Sequence, residues 1–152
     1  MTLRQEVYES GRHAIGPADE FIRFPRRLIY LEFSDSSDGG RDLRPLRAWS
    51  RDGQEVDLDV GVYIRLPQES VLSIYRNFRE GWRPVLQDIT VNAVRDTATE
   101  FNTISFFEAR QAIDARIKQL LNARMEERMP GVSVAQLHML EIRVPDAFET
   151  AV

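Results

Sequence analysis

The sequence predicts an α+β domain: an antiparallel sheet with a long β-hairpin, two to three amphipathic helices packed on one face, and a closing strand. Three observations carry that reading. Every even position from Val56 to Leu66 is Val, Leu or Ile, the period of a strand with one buried face. Asp52-Gly53 sits between this run and another extended stretch, the strongest short-range signal for a hairpin. Beyond Pro67 the apolar period becomes helical, and it returns to alternation only near the C-terminus.

Taken in order, "LRQEVYE" alternates and predicts a short strand, and "SGRHAIGP" follows with Gly11, Gly16 and Pro17 as breakers. "EFIRFPRRLIYLEF" predicts two extended pieces about Pro25, the second alternating weakly at Leu28 and Tyr30. Ser34 to Gly40, "SDSSDGG", has loop composition. "LRPLRAWS" and the run from Gln54 form the hairpin across Arg51–Gly53. Val71, Leu72, Ile74, Tyr75 and Phe78 then predict a short helix closed by Gly81. A second helix begins near Pro84, with Val85, Ile89, Val94 and Ala98 inward.

Asn102 or Thr103 caps a third helix, which carries Phe106, Ile113, Ile117, Leu120 and Leu121 on one stripe and ends before Pro130-Gly131. Asp114 and Lys118 form an i,i+4 pair on its wet side. In "VSVAQLHMLEIRVP", Leu140, Ile142 and Val144 alternate while Leu137 and Met139 have the other parity. That strand is therefore either bulged or covered on both faces. Pro145 opens a final turn.

The 152 residues suit one domain, 1–152. A formal net charge of -4 argues against a nucleic-acid partner. All basic residues but Lys118 are arginine, and there is no cysteine, which removes disulfides and thiolate chemistry. No apolar run approaches the roughly 18–20 residues that span a bilayer. "MTLRQEVYES" is not a signal peptide, so the chain is expected to be soluble and to meet a membrane by its surface or by segments outside it.

Candidates for chemistry are few. His13 and His138 show no HxH, HxxxH or HExxH spacing; His138, in an apolar strand, reads as a structural histidine and His13 as a loop residue. Glu55, Asp57 and Asp59 share one strand face. Such carboxylates serve as an acid/base pair, as a cation site, or as the wet face of a scaffold whose acids, with Arg65, meet a neighbouring subunit. The scaffold is the reading adopted, with no catalytic residue, cofactor or metal expected. In "FIRFPRRL", Phe21, Ile22 and Phe24 alternate with Arg23, Arg26 and Arg27, a pattern suited to a lipid interface with arginines on anionic headgroups.

The order of these pieces resembles the band 7 domain shared by stomatins, prohibitins and flotillins. "YESGRHAIGPADEFIRFP" looks like that family's opening, "WSRDGQEVDLDVGVYIRL" like its hairpin, and "AVRDTATEFNTISFFEARQAIDARIKQLLNARM" with "LEIRVPDAFETAV" like its helical stretch and closing strand. The likeness spans roughly Tyr8 to Val152; the Ser34–Gly40 loop is longer than the family's. The resemblance implies a non-enzymatic, membrane-associated scaffold that forms homo- or hetero-oligomers and organises lipid microdomains or regulates membrane protein partners. It also implies that the N-terminal membrane anchor and C-terminal coiled coil usual in the family lie outside this chain, a fragment of a longer protein. The alternative is a soluble adaptor of the same fold that binds a protein and no lipid.

Overall fold

The structure, a computed structural model, describes residues 28–34 and 43–144, together with Glu6, Arg12, Ala14, Gly16 and Pro17. The first expected strand, the segment about Pro25, the Ser34–Gly40 loop beyond Ser34 and the final turn lie outside the described residues.

Strand β1 (Leu28–Phe33) comes first, then β2 (Leu46–Trp49) and β3 (Glu55–Arg65). The hairpin forms where Asp52-Gly53 places it. Gly53 takes φ 78°, the left-handed conformation a residue with a Cβ adopts at a penalty, while the Ser50 N–H donates to the Gln54 carbonyl at 2.9 Å. All four described strands pair antiparallel through β3. β1 runs alongside its second half, from Leu28 opposite Arg65 to Phe33 opposite Val60. β2 runs alongside its first half, from Leu46 opposite Leu58 to Trp49 opposite Glu55. The two lie end to end on one edge of β3, and β4 (Ser133–Arg143) takes the other.

The mixed parity of the closing strand is resolved as bulging. Register shifts between Asp59 and Val60 and between Tyr63 and Ile64 leave Leu140 and Ala135 as extra residues. Val134, Leu137 and Met139 thereby all turn inward, and Leu140 is exposed.

One sheet face carries the helices α1 (Gln68–Phe78), α2 (Trp82–Ala98), α3 (Ser105–Glu108) and α4 (Arg110–Arg128), with a 3-10 turn at Arg79–Gly81. Val56, Leu58, Val60, Val62 and Ile64 of β3 are fully buried beneath them, each worth about 1.5–3 kcal/mol of transfer free energy. Leu86, Ile89, Ala93 and Val94 of α2 and Ile113, Ile117, Leu121 and Met125 of α4 complete the core.

The helix boundaries differ from expectation for local reasons. α1 ends at Arg79, a non-glycine residue at φ 54°, before Gly81 is reached. α2 starts at Trp82, which is buried; Val85, half-buried, packs against the core as expected, and Leu86 beside it is fully buried. Neither Asn102 nor Thr103 caps a helix with its side chain: the cap position falls on Ile104, and the Thr103 hydroxyl donates to Asp52 at 2.9 Å. The third helix instead starts at Ser105 and is broken at Ala109 (φ -126°, ψ 39°) into α3 and α4.

Asp114 and Lys118 do not pair with each other as an exposed couple; both turn to β4. The Met139 N–H donates to Asp114 Oδ1 at 3.1 Å, and Lys118 Nζ donates to the Ala135 carbonyl at 3.3 Å. Burial pushes the Asp114 carboxyl above the usual carboxylate range, against the opposing effects of the Met139 N–H, His138 and Arg110.

Candidate functional site on the outer sheet face

The face of the sheet away from the helices holds the side chains of alternate strand residues, and the register places them in rows. Trp49 stands opposite Glu55; Arg47 and Arg143 flank Asp57; Glu141 faces Asp59; His138 faces Gly61; Tyr30 and Gln136 flank Tyr63; Leu28 and Ser133 flank Arg65.

One half of the face is an ion-pair lattice. Arg47 Nε lies 2.6 Å from Glu55 and 3.3 Å from Asp57. Arg143 donates from Nη2 and Nη1 to the two oxygens of Asp59, at 2.7 and 3.1 Å, and lies 3.1 Å from Glu141. This fork-to-fork geometry is the strong form of an arginine–carboxylate bond. Asp59 does not lie on a wet face, as the alternation predicts: it is only 5% exposed, covered by the guanidinium that binds it. Glu55 and Asp57 are half-buried. Arg65 stands apart from the three acids, six residues beyond Asp59 and so about 20 Å along the strand. Glu55, Asp57 and Asp59 are thus brought together, with partners in their own chain, and Arg65 is not among them.

The other half is aromatic. The Tyr30 ring lies across Gly61 and 4.6 Å from that of Tyr63. Its hydroxyl donates to Glu32 Oε1 at 2.9 Å, and the Ser34 hydroxyl donates to Glu32 Oε2 at 3.1 Å. Burial, reinforced by the Glu32 carboxylate, pushes the Tyr30 phenol up to about 12. Gly61 therefore has a steric reason to interrupt the strand: a Cβ there would meet the Tyr30 oxygen at 2.7 Å. Leu28, Tyr30, Tyr63 and Trp49 are each 40–55% exposed, so the face offers large apolar side chains beside fixed charge.

At the hairpin tip Asp52 Oδ1 receives hydrogen bonds from the Ser50 hydroxyl (2.5 Å), the Thr103 hydroxyl (2.9 Å) and the Thr103 N–H (3.1 Å). The Arg51 N–H reaches the Phe101 carbonyl at 2.8 Å. These bonds staple the turn to the α2–α3 loop. The Ser50 bond, followed by those from Thr103, holds the Asp52 carboxyl below its usual range.

Chemically, this arrangement fixes charges and shape. The recess between Arg47, Glu55, Asp57, Arg143 and Val144 has a volume of about 210 Å³, below the roughly 300 Å³ where small-molecule sites begin. His138 is exposed on this face, and among the described residues no three His, Cys, Asp or Glu gather at metal-binding distance. His13 lies outside the described residues. So do Phe21, Ile22, Arg23, Phe24, Arg26 and Arg27, the candidate lipid-facing segment. Sequence reasoning missed Arg47 and Arg143. The first was readable, since the hairpin sets it opposite Asp57; the second depends on two bulges that no local pattern announces.

No helix among the described residues is long and apolar enough to cross a membrane. No curated protein matches the chain in sequence. The sequence model of the SPFH domain / Band 7 family, however, matches residues 2–152. Members of that family are generally membrane-associated, oligomer-forming scaffolds without enzymatic activity. A four-stranded antiparallel sheet with its helices on one face accords with that fold. The chain belongs to the SPFH domain / Band 7 family.

Proposed function

We propose that this domain is a non-catalytic scaffold module: it supports oligomeric assembly at a membrane surface, organises membrane microdomains and regulates membrane protein partners. The observation that carries the reading is the outer sheet face. It sets exposed Leu28, Tyr30, Tyr63 and Trp49 beside an ordered Arg–carboxylate lattice, the mixture of aromatic anchors and oriented charge that protein interfaces favour. Glu55 and Asp57, with Arg65 at the far end, make that face the meeting surface for a neighbouring subunit, and Asp59 holds it in shape from below. The segment with Phe21, Ile22, Phe24 and Arg23, Arg26, Arg27 is the part that meets lipid.

Flotation with neutral and with anionic liposomes, at low and high salt, tests the membrane half. Salt-sensitive binding to anionic vesicles that is lost in Arg26→Glu/Arg27→Glu supports it. No flotation under any condition overturns it, and favours a soluble adaptor that docks a protein through its own apolar surface, such as Phe107 on α3 and Ile104 just before it, both nearly half exposed. For the assembly half, Glu55→Lys/Asp57→Lys is introduced into the full-length protein. A smaller assembly of a chain that still melts cooperatively, with only the modest fall in Tm that losing the exposed Arg47 pairs brings, is expected; an unchanged assembly removes this face from the interface.

A further inference from the structure

Among the described residues β4 pairs only with β3, so its second edge is the far edge of the described sheet. Such an edge is a template for another strand unless something occupies its backbone groups. Here side chains of α4, at a constant spacing of four, occupy four of them. Arg110 donates to the Met139 carbonyl, and Asp114 accepts from the Met139 N–H at 3.1 Å. Together they treat Met139 as a residue of an adjoining strand would, engaging both its donor and its acceptor. Lys118 donates to the Ala135 carbonyl at 3.3 Å, and Asn122 accepts from the Val134 N–H at 2.8 Å. The four positions fall along one side of the helix, where residues four apart stack. Two of the four backbone groups belong to Met139, next to the bulge at Leu140; the other two belong to Ala135, itself the extra residue, and to its neighbour Val134. The stripe therefore grips the edge at both places where the bulges distort it.

We infer that Arg110, Asp114, Lys118 and Asn122 form a guard that keeps the β4 edge from pairing with the β4 strand of a second copy. The unguarded strand has eleven residues, "SVAQLHMLEIR", long enough for a stable strand pair, and antiparallel pairing with itself would be symmetric. The guard is separate from the outer face proposed above as a meeting surface: it leaves that face open and closes the edge, so that copies join by face and not by strand addition.

The test is Asp114→Ala/Asn122→Ala, which removes both acceptors and frees the Met139 and Val134 N–H groups. Amide hydrogen exchange at those two positions should quicken in the monomer, by roughly tenfold or more for groups passing from a closed bond to open water. A fluorescent peptide of residues 133–143 should then bind the variant and not the native chain, read by anisotropy. At high concentration the variant should dimerise, with exchange at Met139 and Val134 slowed again. A folded variant with quickened exchange that neither binds the peptide nor self-associates overturns the inference. Unchanged exchange overturns it as well, because the side chains would then not be holding the edge. If the double variant does not melt cooperatively, Asn122→Ala alone is read at Val134 by the same three measurements, with the same outcomes deciding.

Discussion

Asp57 and Asp59 are two residues apart on one strand face, yet replacing each by alanine should have very different effects. The Asp59 side chain is 6% exposed and takes both bonds of the Arg143 fork, whereas that of Asp57 is 38% exposed and shares a 66% exposed Arg47 with Glu55. A hydrogen bond to a charged group contributes about 1.5–3 kcal/mol net. Asp59→Ala loses two, but it also relieves the burial of a carboxylate. Arg143, one-third exposed, then turns to water and keeps Glu141. The balance is a loss of about 2 kcal/mol. For Asp57→Ala the exposed-pair value applies, about 0.5 kcal/mol or less, since Arg47 retains Glu55. In a chain of this size those figures correspond to falls in Tm of about 4–8 °C and about 1–2 °C. Urea melts of both variants, and a double-mutant cycle of Asp59→Ala with Arg143→Ala, measure the difference. Equal losses, or a cycle coupling near zero, would refute the claim that the Arg143 fork holds the face together.

Two further outcomes follow from the titrating groups. Gly61→Ala should displace the Tyr30 ring at a loss of about 1 kcal/mol, and ultraviolet titration should find the phenol falling from about 12 toward its ordinary 10. Because the folded value is the raised one, the stability it contributes is complete below pH 10 and lost as pH rises toward 12, a loss that should be smaller in the variant. Asp52→Ala should remove about 1 kcal/mol, the staple being made by an exposed carboxylate. Asp52 titrates below its ordinary 3.8 when folded, so its contribution is present above that value and lost as pH falls through the lowered one. Urea melts of wild type and Asp52→Ala should therefore converge in acid, and a gap that persists there would contradict the assignment.

What the sequence made legible was whatever a strand or helix settles with itself. The alternation of Val56–Leu66 located β3 and its buried face, and Asp52-Gly53 located the turn. Once the hairpin was drawn, Arg47 was already opposite Asp57. Features settled between distant elements were not legible. Parity alone assigns Asp59 to the wet face; it is buried beneath Arg143, which arrives from the far end of the chain through a register shifted twice. Asp114 and Lys118 have the spacing of a surface pair, and helix periodicity alone says nothing of a strand edge within reach of both. The α3–α4 break at Ala109 follows a loop whose Thr103 is claimed by the hairpin tip, again a contact across more than fifty residues.

The place of β3 has a consequence for how the molecule is made. Its first edge is served by neighbours in the chain, β1 before it and β2 across a tight turn, but its second waits for β4. Between them lies the whole helical segment, and the register joins Asp57 to Arg143 across it. On a ribosome adding roughly 5–20 residues per second, that edge stays open for several seconds after β3 has emerged. In that interval an eleven-residue strand with a wholly apolar inner face has its backbone groups available to any extended segment nearby, including the same strand on a neighbouring nascent chain. A chain translated repeatedly from one messenger thus passes its period of greatest risk before β4 exists, and a chaperone that covers an apolar strand edge would matter most then.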